Sequence, residues 1–198
     1  MAQSAQARCR IAMTGGPGGG KTTAADLFRR ELGDRVVIVP ESATILFGGG
    51  FPRPVQVDAR RCAQTAIFHV QRNLEDVQAA LYPDRILLCD RGTIDGAAYW
   101  PDGNEQYFQA MGTSLQVELA RYDAVVFFET AAVAGLSIEG GNPVRQESLE
   151  QARLLDANLR ALWSHHRRFV FVPHDTSFLR KLTVGLSLLQ AITEELQD

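Results

Sequence analysis

Short apolar runs alternate with longer amphipathic segments along this chain. The runs are almost continuously apolar, which is typical of strands buried on both faces of a parallel sheet. They predict five strands, at Arg8–Thr14, Arg35–Val39, Arg85–Asp90, Ala124–Phe128 and Phe169–Val172. The segments between them predict helices at about 22–32, 56–81, 104–121, 147–166 and 177–196. Strands that alternate with helices in this way predict an α/β fold.

The longest predicted helix carries a stripe of apolar residues. Spacings of three and four separate Ile67, Val70, Leu74, Val77 and Leu81. Such a stripe is typical of a helix face that packs against a core. We therefore expect these side chains to be buried.

The length and composition are those of a globular protein. We expect one domain over residues 1–198, with a flexible tail at 1–7. The formal net charge of −3 argues against general binding of nucleic acid or anionic membranes. Cys9, Cys62 and Cys89 lack a metal-binding spacing, and no apolar run is long enough to span a bilayer. The N-terminus has no signal-peptide pattern, so the sequence predicts a cytoplasmic protein.

A glycine-rich stretch separates the first strand from the first helix. It holds the pattern G-x-x-x-x-G-K-T, a phosphate-binding loop, in which glycines let backbone N–H groups turn toward a phosphate. The Lys21 ammonium can reach the β- and γ-phosphates, and the Thr22 hydroxyl can bind Mg²⁺. The pattern predicts a site for ATP, with GTP as an alternative. We expect it to comprise Gly15, Gly16, Pro17, Gly18, Gly19, Gly20, Lys21, Thr22 and Thr23.

An acidic residue ends the third predicted strand. Asp90 follows four apolar residues in the Walker-B arrangement, where it can hold Mg²⁺ or accept a substrate proton. Arg91 beside it can bind an anionic or hydroxylated substrate. Asp95 is either a second acid over the site or an acid in the first turn of a helix.

Further candidates follow other strands or lie on the long helix. Glu41 comes directly after the second strand, on the edge where parallel α/β sheets bind ligands, and can act as a general base or bind a hydroxyl. Gln64 can present its amide to a bound ring, and Tyr99 lies in an aromatic turn that can either line a pocket or pack onto the core. His174 follows the fifth strand, where such folds often contact the nucleotide base.

Two loop-like stretches adjoin the predicted site. Residues 47–54 are rich in Gly and Pro, which indicates either a mobile flap over a substrate or a plain connector. We interpret Arg53 within it as a solvated arginine rather than a phosphate ligand. Residues 131–146 occupy the place of a lid in nucleotide kinases, from which Arg145 can swing onto the transferred phosphoryl group.

Together these segments resemble a known family of P-loop domains. The resemblance rests on the glycine-rich loop, Val39-Pro40-Glu41, Cys89–Tyr99, Asn142–Glu147 and a final V-P-H-D segment followed by Lys181. This family is related to the kinase domain of bacterial nicotinamide riboside kinase, and it includes the nucleotide-binding domain of the animal TRPL-translocation-defect protein. The Asp90-Arg91 pair is also similar to that of thymidylate and deoxynucleoside kinases.

The resemblance implies a P-loop NTPase fold: a five-stranded parallel sheet flanked by helices on both faces, with a lid that carries Arg145. It also implies Mg²⁺-dependent phosphoryl transfer or nucleotide hydrolysis.

Three functions follow from these observations. The first is an ATP-dependent kinase that phosphorylates a hydroxyl of a small, possibly nucleoside-like molecule. We expect its catalytic residues to be Lys21, Glu41, Asp90 and Arg145. We expect its acceptor to contact Glu41, Gln64, Arg91, Asp95 and Tyr99.

The second function is a switch that hydrolyses ATP or GTP slowly and acts through a protein or lipid partner. The third is an oligomeric AAA-type machine, which the short chain does not favour. We expect a monomer or homodimer with no nucleic-acid partner.

Overall fold

A five-stranded parallel sheet forms the centre of the molecule. The computed structural model describes residues 9–135 and 148–196. Its strands are β1 (Cys9–Thr14), β2 (Val36–Val39), β3 (Ile86–Asp90), β4 (Ala124–Phe128) and β5 (Phe169–Val172). They lie in the order β2-β3-β1-β4-β5, with every neighbouring pair parallel. Because β1 is central, the loop after it lies between the carboxyl ends of β3 and β4.

Helices connect the strands and cover the sheet. They are α1 (Lys21–Leu32), α2 (Ser42–Gly48), α3 (Val57–Leu81), α4 (Asn104–Ala110), α5 (Leu115–Leu119), α6 (Leu149–Trp163) and α7 (Phe178–Glu195). Short 3₁₀ turns lie at Gly33–Arg35, Asp95–Tyr99 and Ala131–Ala134. Within the two described ranges, none of the helices has the length and apolarity needed to cross a membrane.

Alternate residues of the strands contribute to two apolar layers, one on each face of the sheet. Ile11 of β1 belongs to the layer that contains Phe28 of α1. Its neighbour Ala12 belongs to the opposite layer, with Phe68 of α3 and Trp163 of α6. Burial on both faces explains why the strands are almost continuously apolar. The predicted five-stranded parallel sheet with helices on both faces is confirmed.

The predicted apolar stripe of the long helix is wrong at its C-terminal end, whereas Leu74 packs against the core and Ile67 and Val70 are half-buried. Val77 and Leu81 are 51% and 64% exposed, whereas Gln71 and Glu75 are buried. The physical reason is a set of polar partners that lie far away in the sequence. The Glu75 carboxylate accepts hydrogen bonds from Arg121 Nη2 at 2.8 Å and from the Tyr122 hydroxyl at 2.7 Å. A buried carboxylate satisfied in this way can face the interior in place of an apolar side chain.

The predicted helix at 104–121 is two short helices. Gly112 adopts φ 65° after α4, a left-handed conformation that ends the helix. Ser114 then caps α5, since its side chain accepts a hydrogen bond from the Val117 N–H. The structure also adds α2, which the sequence analysis did not predict, in the segment after Glu41.

Candidate active site

The glycine-rich loop runs from the end of β1 to the start of α1. Gly15 has φ 131°, and a Cβ atom there would lie 2.0 Å from the carbonyl oxygen of Phe128, so only glycine fits. The buried Lys21 ammonium donates hydrogen bonds to the carbonyl oxygens of Gly15 and Gly16, each at 2.8 Å. The lysine therefore bridges the loop from within, at the position predicted for phosphate binding.

A hydroxyl and a carboxylate meet beside this loop. The Thr22 hydroxyl donates a 2.9 Å hydrogen bond to Asp90 Oδ2, which joins the start of α1 to the end of β3. Burial, and then the charge of Glu41, raise the pKa of Asp90 above its ordinary value, and the Lys21 ammonium acts in the opposite direction. A positive ion at this carboxylate would relieve the cost of its buried charge.

The pair fits Mg²⁺ in the manner usual for nucleotide sites. The described residues hold no group of three His, Cys, Asp or Glu side chains able to form a protein-only metal cage. Mg²⁺ at phosphate sites commonly takes one or two carboxylates, and substrate phosphates and water complete its shell. Thr22 and Asp90 would hold the ion, which would neutralise charge on the phosphate oxygens.

Two buried residues from distant parts of the chain brace the loop. Asp156 Oδ1 accepts hydrogen bonds from the backbone N–H groups of Gly16 at 2.7 Å and Thr130 at 3.0 Å. Lys181 donates to the carbonyl oxygen of Gly19 at 2.9 Å and to that of Glu129. Burial lowers the pKa of Lys181 to about 8. Neither residue was among the predicted site residues, since no local pattern marks a contact between segments so far apart.

Arg91 is the centre of an ion network at the end of β3. Its backbone adopts φ 80°, a rare conformation for a residue other than glycine. The guanidinium donates to the Gly15 carbonyl oxygen at 2.9 Å, to Asp95 Oδ2 at 3.0 Å and to Glu41 Oε1 at 3.2 Å. Arg91 thus ties the phosphate loop to the acid that follows β2.

Asp95 is held on several sides by neutral and charged donors. Besides Arg91, the Thr14 hydroxyl lies 2.9 Å from both of its oxygens, and Trp163 Nε1 donates to Oδ1 at 2.7 Å. A buried carboxylate with this many donors is well suited to orient Arg91. Direct contact between Asp95 and a substrate stays a prediction.

A pocket of about 200 Å³ opens beside the loop. Pro17 of the phosphate-binding loop belongs to its wall. All five residues predicted to contact the acceptor line it, namely Glu41, Gln64, Arg91, Asp95 and Tyr99. Their binding roles stay predictions, but the structure brings them together from three separate segments.

The pocket wall also contains residues that the sequence analysis did not select. Arg60 lies one turn before Gln64 on α3, and helical spacing from Gln64 could have identified it. Arg53 lines the same pocket, although the sequence analysis favoured a solvated role for it. Gln71 closes the inner end, where its amide donates to the Arg91 carbonyl oxygen at 3.2 Å.

Two other predicted site residues, Thr23 and His174, do not line this pocket. Thr23 is exposed on the first turn of α1. His174 follows β5, and its backbone N–H donates to Glu129 Oε2 at 2.8 Å. Arg145 and most of the predicted lid lie outside the described residues. The roles predicted for these three side chains stay predictions.

Comparisons with known proteins identify the class of this domain. Residues 10–179 match a protein family described as an AAA domain, and the chain belongs to that family. No curated protein sequence matches it significantly.

Two solved structures resemble the fold over nearly the whole chain. Deoxyadenosine kinase from M. mycoides with bound dATP is 16% identical, with a TM-score of 0.63 over 92% of this chain and 99% of that one. Shikimate kinase from Acinetobacter baumannii in complex with shikimate is 15% identical, with a TM-score of 0.51 over 94% of each chain. The fold is therefore that of a P-loop kinase-like domain.

Proposed function

We propose that this protein is a Mg²⁺-dependent kinase that transfers the γ-phosphate of ATP to a hydroxyl of a small molecule. One observation carries the proposal: the pocket shares a wall with the phosphate-binding loop. Pro17 of that loop lines the same pocket as Glu41 and Arg91. A molecule in the pocket would therefore lie next to the phosphates that the loop is built to hold.

The geometry supports Glu41 over Asp90 as the general base. Glu41 lines the pocket, while Asp90 is paired with Thr22 beside the loop. In the proposed reaction the acceptor hydroxyl attacks the γ-phosphorus, its proton passes to Glu41, and ADP leaves. Arg91 holds Glu41 at 3.2 Å and keeps this acid in position.

The structural neighbours support the transferase over the switch and the AAA-type machine. The two solved structures are kinases, one with bound dATP and the other with bound shikimate. ATP as the preferred nucleotide, the narrower relationship to nicotinamide riboside kinase, the monomeric or dimeric state and the cytoplasmic location stay predictions.

The test is ADP release from Mg-ATP, alone and with a panel of nucleosides, nicotinamide riboside, hydroxy acids and small vitamins. We expect one compound to stimulate the rate at least tenfold, about 1.4 kcal/mol of activation free energy. The phosphorylated product, identified by mass spectrometry, must carry one added phosphoryl group. A slow rate that no compound changes would contradict the kinase and favour the nucleotide-dependent switch.

A further inference from the structure

We propose that the acceptor carries an anionic group, a carboxylate or a phosphate, which Arg53 and Arg60 bind at the outer end of the pocket. The inference rests on the proposed function, because it names the chemical class of the molecule that the kinase would phosphorylate. It comes from the charges of the residues that line the pocket.

The charge of Arg91 is already balanced within the protein. Its guanidinium pairs with Asp95 at 3.0 Å and with Glu41 at 3.2 Å. These are the two carboxylates among the described residues of the pocket wall, and both pair with Arg91 beside the phosphate loop. Within the part of the wall that the structure describes, no further acid is left to pair with Arg53 or Arg60.

Arg53 and Arg60 have no carboxylate partner among the described residues, and their known contacts leave most of their donors available. Arg60 Nη2 donates to the backbone oxygen of Tyr99 at 3.0 Å, which uses one of five N–H groups. The Arg53 guanidinium lies 4.6 Å from the centre of the Phe47 ring. A guanidinium stacked on a ring still presents its N–H groups at its edges.

Arg61, which follows Arg60 in the sequence, provides a comparison because its charge is paired with two carboxylates. Arg61 forms ion pairs with Asp102 at 2.7 Å and with Asp58 at 2.5 Å. It does not line the pocket. Arg61, paired with two acids, thus lies outside the pocket, whereas Arg53 and Arg60 line it without an acidic partner from residues 9–135 or 148–196.

The position of Arg60 along α3 places the anionic group far from the reacting hydroxyl. Gln71 contacts the backbone of Arg91 at the inner end of the pocket. Arg60 precedes it by three helical turns, or roughly 16 Å at 1.5 Å per residue. An extended acceptor would bridge this distance.

A carboxylate or phosphate matches this outer end in both charge and shape. The planar guanidinium binds either group through two parallel N–H···O hydrogen bonds. The described residues of the wall include three arginines and two carboxylates, a net charge of +1, which favours an acceptor with an anionic group over a neutral one.

The experiment compares matched acceptors that differ in this group alone. The phosphate pairs are nucleosides and their 3′-monophosphates, which keep a free 5′-hydroxyl, and the carboxylate pair is shikimate and its amide. Affinity is measured by calorimetry in the presence of Mg²⁺ and a non-hydrolysable ATP analogue, and turnover is measured separately as ADP release. We expect at least one anionic compound to bind tenfold or more tightly than its neutral partner, and the pair that does so identifies phosphate or carboxylate.

Three variants test whether the two arginines cause the preference. Arg60→Gln and Arg53→Gln should each reduce the preference for the anion at least threefold, with little change in the affinity for Mg-ATP. Arg61→Gln is the matched control and should keep the preference. A loss of Mg-ATP affinity in Arg53→Gln or Arg60→Gln, without loss of the anion preference, would instead assign that arginine to the nucleotide and overturn the inference.

The two proposals fail in different ways. A neutral acceptor that wild type binds and phosphorylates at least as well as its anionic partner would overturn the anionic class and keep the kinase. Binding of anions that depends on Arg60, without any phosphorylated product, would keep the anion site and contradict the kinase. If no anion in the panel binds more tightly than its neutral partner while Mg-ATP still binds, the anionic class is wrong.

Discussion

The two halves of the candidate site are built in different ways. The phosphate half is a short continuous stretch of chain, and buried side chains such as Asp156 and Lys181 fix its backbone by hydrogen bonds. The acceptor half is assembled from α2, the segment before α3, α3 itself and the turn after β3. Its residues range from buried Asp95 to exposed Arg53. Under the proposed function, backbone geometry would recognise the nucleotide, whereas a few side chains would recognise the acceptor.

The largest effect is expected from the loop lysine. Lys21→Ala removes the ammonium that the loop holds for the phosphates, so we expect Mg-ATP affinity to fall by about 10³-fold, or about 4 kcal/mol. Equilibrium titration with a fluorescent ATP analogue measures this loss. Affinity for an acceptor in the absence of nucleotide should stay within about threefold, because Lys21 does not line the pocket.

A control separates the lysine from general damage to the helix. Arg29→Ala removes an exposed cation from the same helix and should leave Mg-ATP affinity unchanged. If Lys21→Ala bound Mg-ATP as tightly as wild type, the loop would not hold the phosphates, and the contrast between the two halves would disappear.

Substitution of Asp90 is expected to reduce Mg-ATP affinity less than substitution of Lys21 does, but to reduce kcat strongly. Asp90→Asn keeps an oxygen near Thr22 but removes the charge proposed to hold Mg²⁺, so we expect kcat to fall about 10²-fold and nucleotide affinity less than tenfold. The pH dependence gives an independent readout. Because burial raises the pKa of Asp90, kcat/KM for Mg-ATP in wild type should decline on the acid side at a higher pH than an ordinary Asp would give. Normal turnover of Asp90→Asn would show that the Mg²⁺ assignment is wrong.

The support of the phosphate half can be tested without any substrate. Asp156→Ala leaves the buried N–H groups of Gly16 and Thr130 without their acceptor, at a cost of about 2–4 kcal/mol in the free energy of unfolding. Urea denaturation measures it. Asp156→Asn keeps an acceptor oxygen at the same place and should lose less than half as much. Equal losses in the two variants would mean that packing, rather than these hydrogen bonds, explains the role of Asp156.

The sheet and the phosphate loop could be predicted because their signals are local. A run of apolar residues marks each strand, and the loop, the lysine and the helix start are contiguous. The face of α3 could not be predicted in this way. Glu75 faces inward because Arg121 and Tyr122 meet it there, and these partners are 46 and 47 residues away in the sequence.

Single side chains of the acceptor half were also difficult to predict from the sequence. The sequence analysis selected Gln64 on α3 but not Arg60, although helical spacing places Arg60 one turn earlier on the same face. Only the structure shows that Arg60 contacts the Tyr99 carbonyl oxygen. The charge balance of the pocket also needs the three-dimensional arrangement. Arg61 and Arg60 are neighbours with the same chemistry, and only the structure shows that Asp102 pairs with the first.

The smallest expected effect is a change in the free energy of unfolding due to Lys181, whose ammonium donates to the Gly19 carbonyl oxygen of the loop. Lys181 and Lys21 are the only lysines in the sequence, and both donate to carbonyl oxygens of the loop. Burial lowers the pKa of Lys181 from an ordinary 10.5 to about 8 in the folded protein. Between these values the unfolded chain binds more protons than the folded one, so the free energy of unfolding contributed by this group rises with pH. We expect a rise of about 1–3 kcal/mol between pH 8 and pH 10.5.

Lys181→Met isolates that rise, because tyrosines and other groups titrate equally in both proteins. Urea denaturation at several pH values should give a steeper increase in the wild type than in Lys181→Met, and the difference should be small below pH 8. The variant should also bind Mg-ATP somewhat more weakly, since the Gly19 carbonyl oxygen loses its donor. If the two proteins followed parallel curves from pH 7 to pH 10.5, Lys181 would titrate as an ordinary lysine. The buried contacts of Lys181 would then add less rigidity to the phosphate half than the structure indicates. The contrast with the acceptor half would be correspondingly smaller.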